Sequence, residues 1–73
     1  MNLAVAARLR FIDFLIDHVG YFQRAMLMDY FGLSLPQASL DFKLYHEQNP
    51  ANCIYNPSTK RWERAAGFVR RYP

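Results

Sequence analysis

A single cysteine, Cys53, rules out an internal disulfide and any site built on several thiolates. Glycine is nearly as sparse, with three residues in 73, and no Gly-rich phosphate loop is spelled out. Neither histidine has cysteines or carboxylates at ligand spacing. His18 sits in an apolar helical pattern, and His46 with Glu47 lacks the second histidine of a zinc-binding helix. No nucleophile elbow occurs. No stretch approaches the roughly 20 apolar residues needed to span a bilayer, and Arg8 and Arg10 interrupt the N-terminal run that a signal peptide would need. The expectation is a non-enzymatic chain in a reducing cytoplasm, with no cofactor, metal, membrane or small molecule bound to it.

What is present is apolar. The chain is 52% hydrophobic and 16% aromatic, so it is globular rather than disordered. At 73 residues it is one domain near the lower limit for a self-sufficient core, and some of its apolar surface is expected to meet another chain or domain. The net charge of +3 is unevenly placed: residues 60–73 carry a local +4, and residues 1–59 a local −1. An end-loaded positive field suits a polyanion; a solvated basic tail is the plain alternative.

The stretch that organises the rest is 31–45. Gly32 suits the left-handed residue that ends a helix, and Leu33 is an apolar peg in the turn. Ser34 is a good N-cap, with Gln37 at the capping-box distance and Pro36 in the first turn, where no backbone N–H is needed. Ala38, Phe42 and Tyr45 recur at helical spacing as one inward stripe. Leu35, Gln37, Ser39, Leu40 and Lys43 are left on the outer face. A short helix held from behind, with its N-terminus open, is how a helix-turn-helix enters a DNA major groove.

The elements around it follow from periodicity. A first helix over 3–19 carries two apolar stripes. Val5, Leu9, Ile12, Ile16 and Val19 form one, and Ala7, Phe11, Phe14, Leu15 and His18 the other, with Asn2, Arg10, Asp13 and Asp17 on the polar side. One stripe should pack on the helix-turn-helix; the other should meet a second subunit or a further domain, unless a bulky core uses both. A second helix covers 23–31 and the third 35–48, ended by Asn49-Pro50. A hairpin over 52–64 turns at Asn56-Pro57-Ser58-Thr59, with Ile54 and Trp62 expected inward and Tyr55, Arg61 and Glu63 outward. The fold class is therefore mainly α with a β-hairpin: a winged helix-turn-helix of three helices and a two-stranded wing, as a single domain over 1–73.

Gln37 is the leading base-reading candidate, because its amide can pair bidentately with adenine; its competitor is a capping role toward Ser34. Ser39 can touch a base or a phosphate, or be an ordinary exposed serine. Leu35 and Leu40 suit thymine methyl groups or burial against the wing. Lys43 is placed for phosphate. Arg24 could meet the backbone that the second helix crosses, and Lys60 and Arg61 at the wing suit phosphate or the minor groove; each is equally an unremarkable exposed cation. Asp41 is expected to pair with a base such as Arg24 or to cap the backbone.

At Gly32-Leu33-Ser34-Leu35-Pro36-Gln37-Ala38-Ser39-Leu40-Asp41 the sequence resembles the N-terminal winged helix-turn-helix of WYL-domain transcriptional repressors that control bacterial phage-defence islands. The similarity extends through Arg8-Leu9-Arg10-Phe11-Ile12-Asp13-Phe14, Gly20, Arg24, Leu27, Tyr30-Phe31, Asn49-Pro50 and Ile54-Tyr55. It implies a homodimer that binds inverted repeats in double-stranded promoter DNA and represses transcription, with 34–43 in the major groove. No ligand site carries over. The rival expectation is a winged helix used only for protein–protein contact. A weaker one is RNA binding through Tyr55 and Tyr72.

Overall fold

Asn2 opens the first helix: its side chain accepts the Val5 amide at 2.8 Å and caps α1, Leu3–His18. The computed structural model describes residues 2–72, so Met1 and Pro73, the ends of the expected domain, lie outside it. Val19 caps α1 rather than extending it, and Gly20 turns the chain at φ 96°, a conformation that suits glycine. Strand β1, Tyr21–Phe22, follows. Helix α2, Arg24–Phe31, ends at Gly32 in the left-handed conformation, φ 68°. Ser34 then caps α3, Leu35–Gln48, its hydroxyl accepting the Gln37 amide at 3.3 Å. Strands β2, Cys53–Asn56, and β3, Arg61–Arg64, complete the chain as an antiparallel hairpin.

The fold class read from the sequence is the observed one: three helices and a wing. Two details differ. Tyr21 and Phe22 do not merely lead into α2; they pair with Glu63 and Trp62, so the hairpin becomes a three-stranded sheet in the order β1-β3-β2. Two residues carry no readable period, and only the pairing across the chain creates this strand. The wing is also one residue out of phase with expectation. Tyr55, not Ile54, stands opposite Trp62, while Ile54 stands opposite Glu63 and is 65% exposed. A slip of one residue exchanges the two faces of a strand. The inward row is Phe22, Trp62 and Tyr55, and it runs from core to wing.

That row continues into the core. Phe22 stacks on Phe42 at 4.8 Å between centroids, Phe42 meets Trp62 at 4.8 Å, and Trp62 meets Tyr55 at 5.3 Å. Leu9, Ile12, Leu15, Ile16, Leu27, Ala38 and Tyr45 fill the space between the helices. Most of the first stripe of α1 is thereby consumed, although Val19 remains exposed. Of the second, Leu15 is buried, whereas Phe11 is half-buried and Phe14 is exposed.

Asp13 is the chief departure. Expected on the polar face of α1, it is fully buried and collects three donors at 2.6–2.8 Å: the Tyr45 hydroxyl and the backbone N–H groups of Arg71 and Tyr72. Arg70 adds an ion pair at 2.9 Å. Tyr45 in turn accepts from Asn52 Nδ2 at 3.0 Å, and Asn52 exchanges hydrogen bonds with Val69 in both directions. Burial and the neighbouring Asp13 carboxylate push the Tyr45 phenol well above its usual range. Among the described residues no buried side-chain polar atom lacks a partner.

Removing the centre of such a network leaves buried donors unpaired, which costs about 3–5 kcal/mol. Asp13→Ala should therefore lose that much in urea unfolding, whereas Tyr45→Phe, which deletes one arm, should lose about 1–2 kcal/mol. Equal losses would show that the carboxylate is not the centre.

Candidate nucleic-acid interface

Helix α3 is held along the side that carries Ala38, Asp41, Phe42 and Tyr45, all buried. At 100° per residue the opposite side carries Pro36, Leu40, Lys43 and Glu47, all exposed, with Leu40 at 61%. Ala38 has no side chain beyond Cβ, which lets α3 cross its neighbours closely while its first turn stays outside. Ser34, Leu35 and Pro36 are exposed there. The wing does not cover this turn.

On the wing side, α3, the start of α2 and the sheet enclose an open groove of about 700 Å³. Leu35, Ser39 and Lys43 form its α3 wall, Arg24 and Lys60 stand opposite, and Trp62 lies among its lining residues. Arg24 Nη1 donates to the Ser39 hydroxyl at 2.9 Å. These two side chains, weighed separately in the sequence, act as one unit. Leu35 is half-exposed into the groove rather than buried under the wing.

Lys60 ends the wing turn at φ 59°. Its amide donates to the Asn56 carbonyl at 2.7 Å, and the Asn56 side chain accepts the Ser58 amide at 2.9 Å. A four-residue hairpin loop closing in this way needs a left-handed last residue, so a lysine here bears backbone strain. Its side chain is exposed toward the groove. Arg61, one residue on, points the other way. Its guanidinium lies 4.0 Å from the Tyr21 ring centre, on the outer face of the sheet.

Three sequence expectations about charge are corrected. Asp41 pairs not with Arg24 but with Arg8 of α1, in a two-pronged ion pair with Nε to Oδ2 and Nη2 to Oδ1. Gln37 does not complete a capping box; its Nε2 donates to Asp41 Oδ1 at 3.0 Å. The basic residues of 60–73 do not act as one end-loaded field: Lys60 lines the groove beside α3, while others are held elsewhere. Arg64 reaches the Asp17 carbonyl at 2.7 Å, and Arg70 is held by Asp13 and Asp17. The Asp17 carbonyl and the carboxylates of Asp13 and Asp17 hold these two arginines along the C-terminal half of α1.

Sequence reasoning did not single out Arg8 as a partner of α3, because a contact 33 positions away leaves no local signal. It also gave no role to His46, whose ring lies 4.8 Å from Trp62 at the groove. Cys53 lies beneath, with Sγ 4.0 Å from His46 Nδ1. Burial pushes its thiol up to about 11, which makes it a packing residue rather than a nucleophile.

Residues 4–72 match the model of the BrxR transcriptional regulator winged helix-turn-helix domain. Among characterised relatives, the DNA-binding transcriptional repressor CapW of Escherichia coli strain KTE188 is 43% identical over 65 residues, covering 89% of this chain and 22% of the repressor. CapW of Pseudomonas aeruginosa is 35% identical over 66 residues, covering 90% of this chain and 22% of that protein. CapW of Stenotrophomonas maltophilia is 41% identical over 49 residues, or 67% of this chain and 16% of its own length. The chain spans about a fifth of the length of the first two relatives.

The strain at position 60 is separable from its charge. Lys60→Gly should raise stability by up to about 1 kcal/mol, since glycine adopts the left-handed conformation without a Cβ penalty. Lys60→Ala keeps the strain and should gain nothing. Denaturant midpoints of the two variants check this, and equal midpoints would refute it.

Proposed function

The chain belongs to the winged helix-turn-helix domain family of BrxR transcriptional regulators, and on that premise we propose that it is the DNA-reading module of a transcriptional repressor. The observation that carries this reading is the open first turn and outer face of α3, flanked across one groove by the cations Arg24 and Lys60. Such a helix places its N-terminal residues against base edges while the preceding helix crosses the backbone. The names of the relatives, DNA-binding transcriptional repressors, support the same assignment.

The residues of this turn and groove then have tasks set by their chemistry. Gln37 offers an amide to a base edge, and Leu40 and Leu35 offer apolar contact to thymine methyl groups. The first turn of α3 is the positive end of the helix, where a phosphate is favoured, although its Gln37 amide is already taken by Ser34. Arg24, with Ser39 held to it, Lys43 and Lys60 neutralise phosphates on either side of the inserted helix. Arg61, folded onto Tyr21, reaches the backbone only by leaving that ring.

We further propose a homodimer on an inverted-repeat operator controlling phage-defence genes in the cytoplasm. Of the two stripes on α1, the first is mostly spent in the core. The second remains as an aromatic face: Phe11 stacks on Tyr30 at 4.4 Å, and Phe14 and Tyr30 are 42% and 70% exposed. Subunits meeting there would bury it. No helix of the described residues is long and apolar enough to cross a membrane.

Phosphate neutralisation releases counterions, so log affinity must fall steeply with log salt, and losing one contact lowers the slope by about 1. Lys60→Gly should show that reduction while remaining folded. A flat dependence in the parent chain would favour a protein-contact module instead. Phe14→Asp changes an exposed position and should convert a dimer to monomer in sedimentation equilibrium; an unchanged mass would move the interface elsewhere.

A further inference from the structure

Gln37 is not a free side chain, and what holds it decides which face of its amide is offered outward. Asp41 lies one turn further along α3 and is 3% exposed. Both of its oxygens accept from the guanidinium of Arg8. A carboxylate engaged in that way presents only acceptors. Its Oδ1 stands 3.0 Å from Nε2 of Gln37. The opposite flip of the amide would set Oε1 against that carboxylate, two acceptors facing each other with no proton between them. One flip is therefore enforced: one N–H turned inward to Asp41, with Oε1 and the second N–H left for a partner outside.

We propose that Arg8 and Asp41 are positioning residues that set the amide of Gln37 to read adenine and to reject guanine. The inference rests on the DNA-binding reading above. Adenine shows a donor at N6 and an acceptor at N7 in the major groove, matching an outward Oε1 and N–H in turn. Guanine shows acceptors at both O6 and N7, so its O6 would face Oε1. An amide without the buttress can also swing its NH₂ group outward, where its two N–H donors meet guanine O6 and N7, so that either purine is accommodated. Arg8 reaches Asp41 from α1, so the reading head is set by a helix that need not touch the DNA.

Selection of bound duplexes from a random pool, run on the parent chain, Gln37→Ala and Asp41→Asn, tests this directly. The base pair read by Gln37 is the one whose preference vanishes in Gln37→Ala. There the parent should favour adenine over guanine by roughly tenfold or more. In Asp41→Asn the new side chain keeps its oxygen toward Arg8 and turns its amide N–H toward Gln37, which now presents Oε1 inward. The adenine preference should then fall at least fivefold and guanine should be tolerated, a change of base choice that mere loosening of the fold would not give. An adenine preference retained in Asp41→Asn, with salt-steep binding intact, overturns the buttress and leaves the DNA-binding reading standing. No lost preference in Gln37→Ala also overturns it. Absence of salt-dependent duplex binding by the parent chain sinks the DNA-binding reading itself. A second measurement needs no variant at Asp41. The parent chain should bind roughly tenfold more weakly to an operator carrying purine, which lacks the N6 amino group, at that adenine; equal binding overturns the proposal.

Discussion

The buried carboxylate of Asp13 is the constraint on which the rest depends. A charge with no solvent access survives only if its lone pairs are satisfied, and here they are satisfied by groups from distant parts of the chain. Tyr45 brings α3, the backbone at Arg71 and Tyr72 brings the C-terminal segment, and Arg70 closes the ion pair. Apolar packing between α1 and α3 is non-directional and would tolerate some sliding. Hydrogen bonds of 2.6–2.8 Å to one carboxylate do not. They set how far along α1 the third helix sits, and hence how far its first turn projects.

A second polar contact works on the same pair of helices from the other end. Arg8 and Asp41 join α1 to α3 near the exposed turn, as Asp13 and Tyr45 join them deeper in the fold. The periodicity of α1 implies a polar, solvated position for Asp13, and Asp41 is expected to pair with a basic residue such as Arg24 or to cap the backbone. Instead each is buried and each orients α3. Acidic side chains in a nucleic-acid-reading element would repel phosphate if exposed; paired internally, their fields are largely cancelled. The cations left on the groove are Lys60 and Lys43, which are in none of the ion pairs among the described residues, although Glu47 lies one turn from Lys43, together with Arg24 bound to a neutral hydroxyl.

Much of the architecture was legible because it is local. Gly32, Ser34, Pro36 and the Ala38, Phe42, Tyr45 stripe specify a turn and a helix through backbone conformation and a period of 3.6, which neighbours in sequence suffice to express. The open face of α3 follows from the same stripe, since whatever is not turned inward is turned outward. The hairpin was legible from Asn56-Pro57-Ser58-Thr59, but its phase was not. Ile54 and Tyr55 are both plausible inward residues, and only pairing with β3, itself paired to β1, selects Tyr55.

The sequence alone determined the class of fold and the helix that presents its leading turn, because capping, glycine placement and apolar period act over a few residues. The tertiary structure decided which charges remain available there. It drew Arg64 and Arg70 to the end of α1, laid Arg61 on Tyr21, and tied Gln37 through Asp41 to Arg8. Those choices depend on distances between residues tens of positions apart. Electrostatic pairing selects partners by proximity in space, which the linear order of residues does not contain.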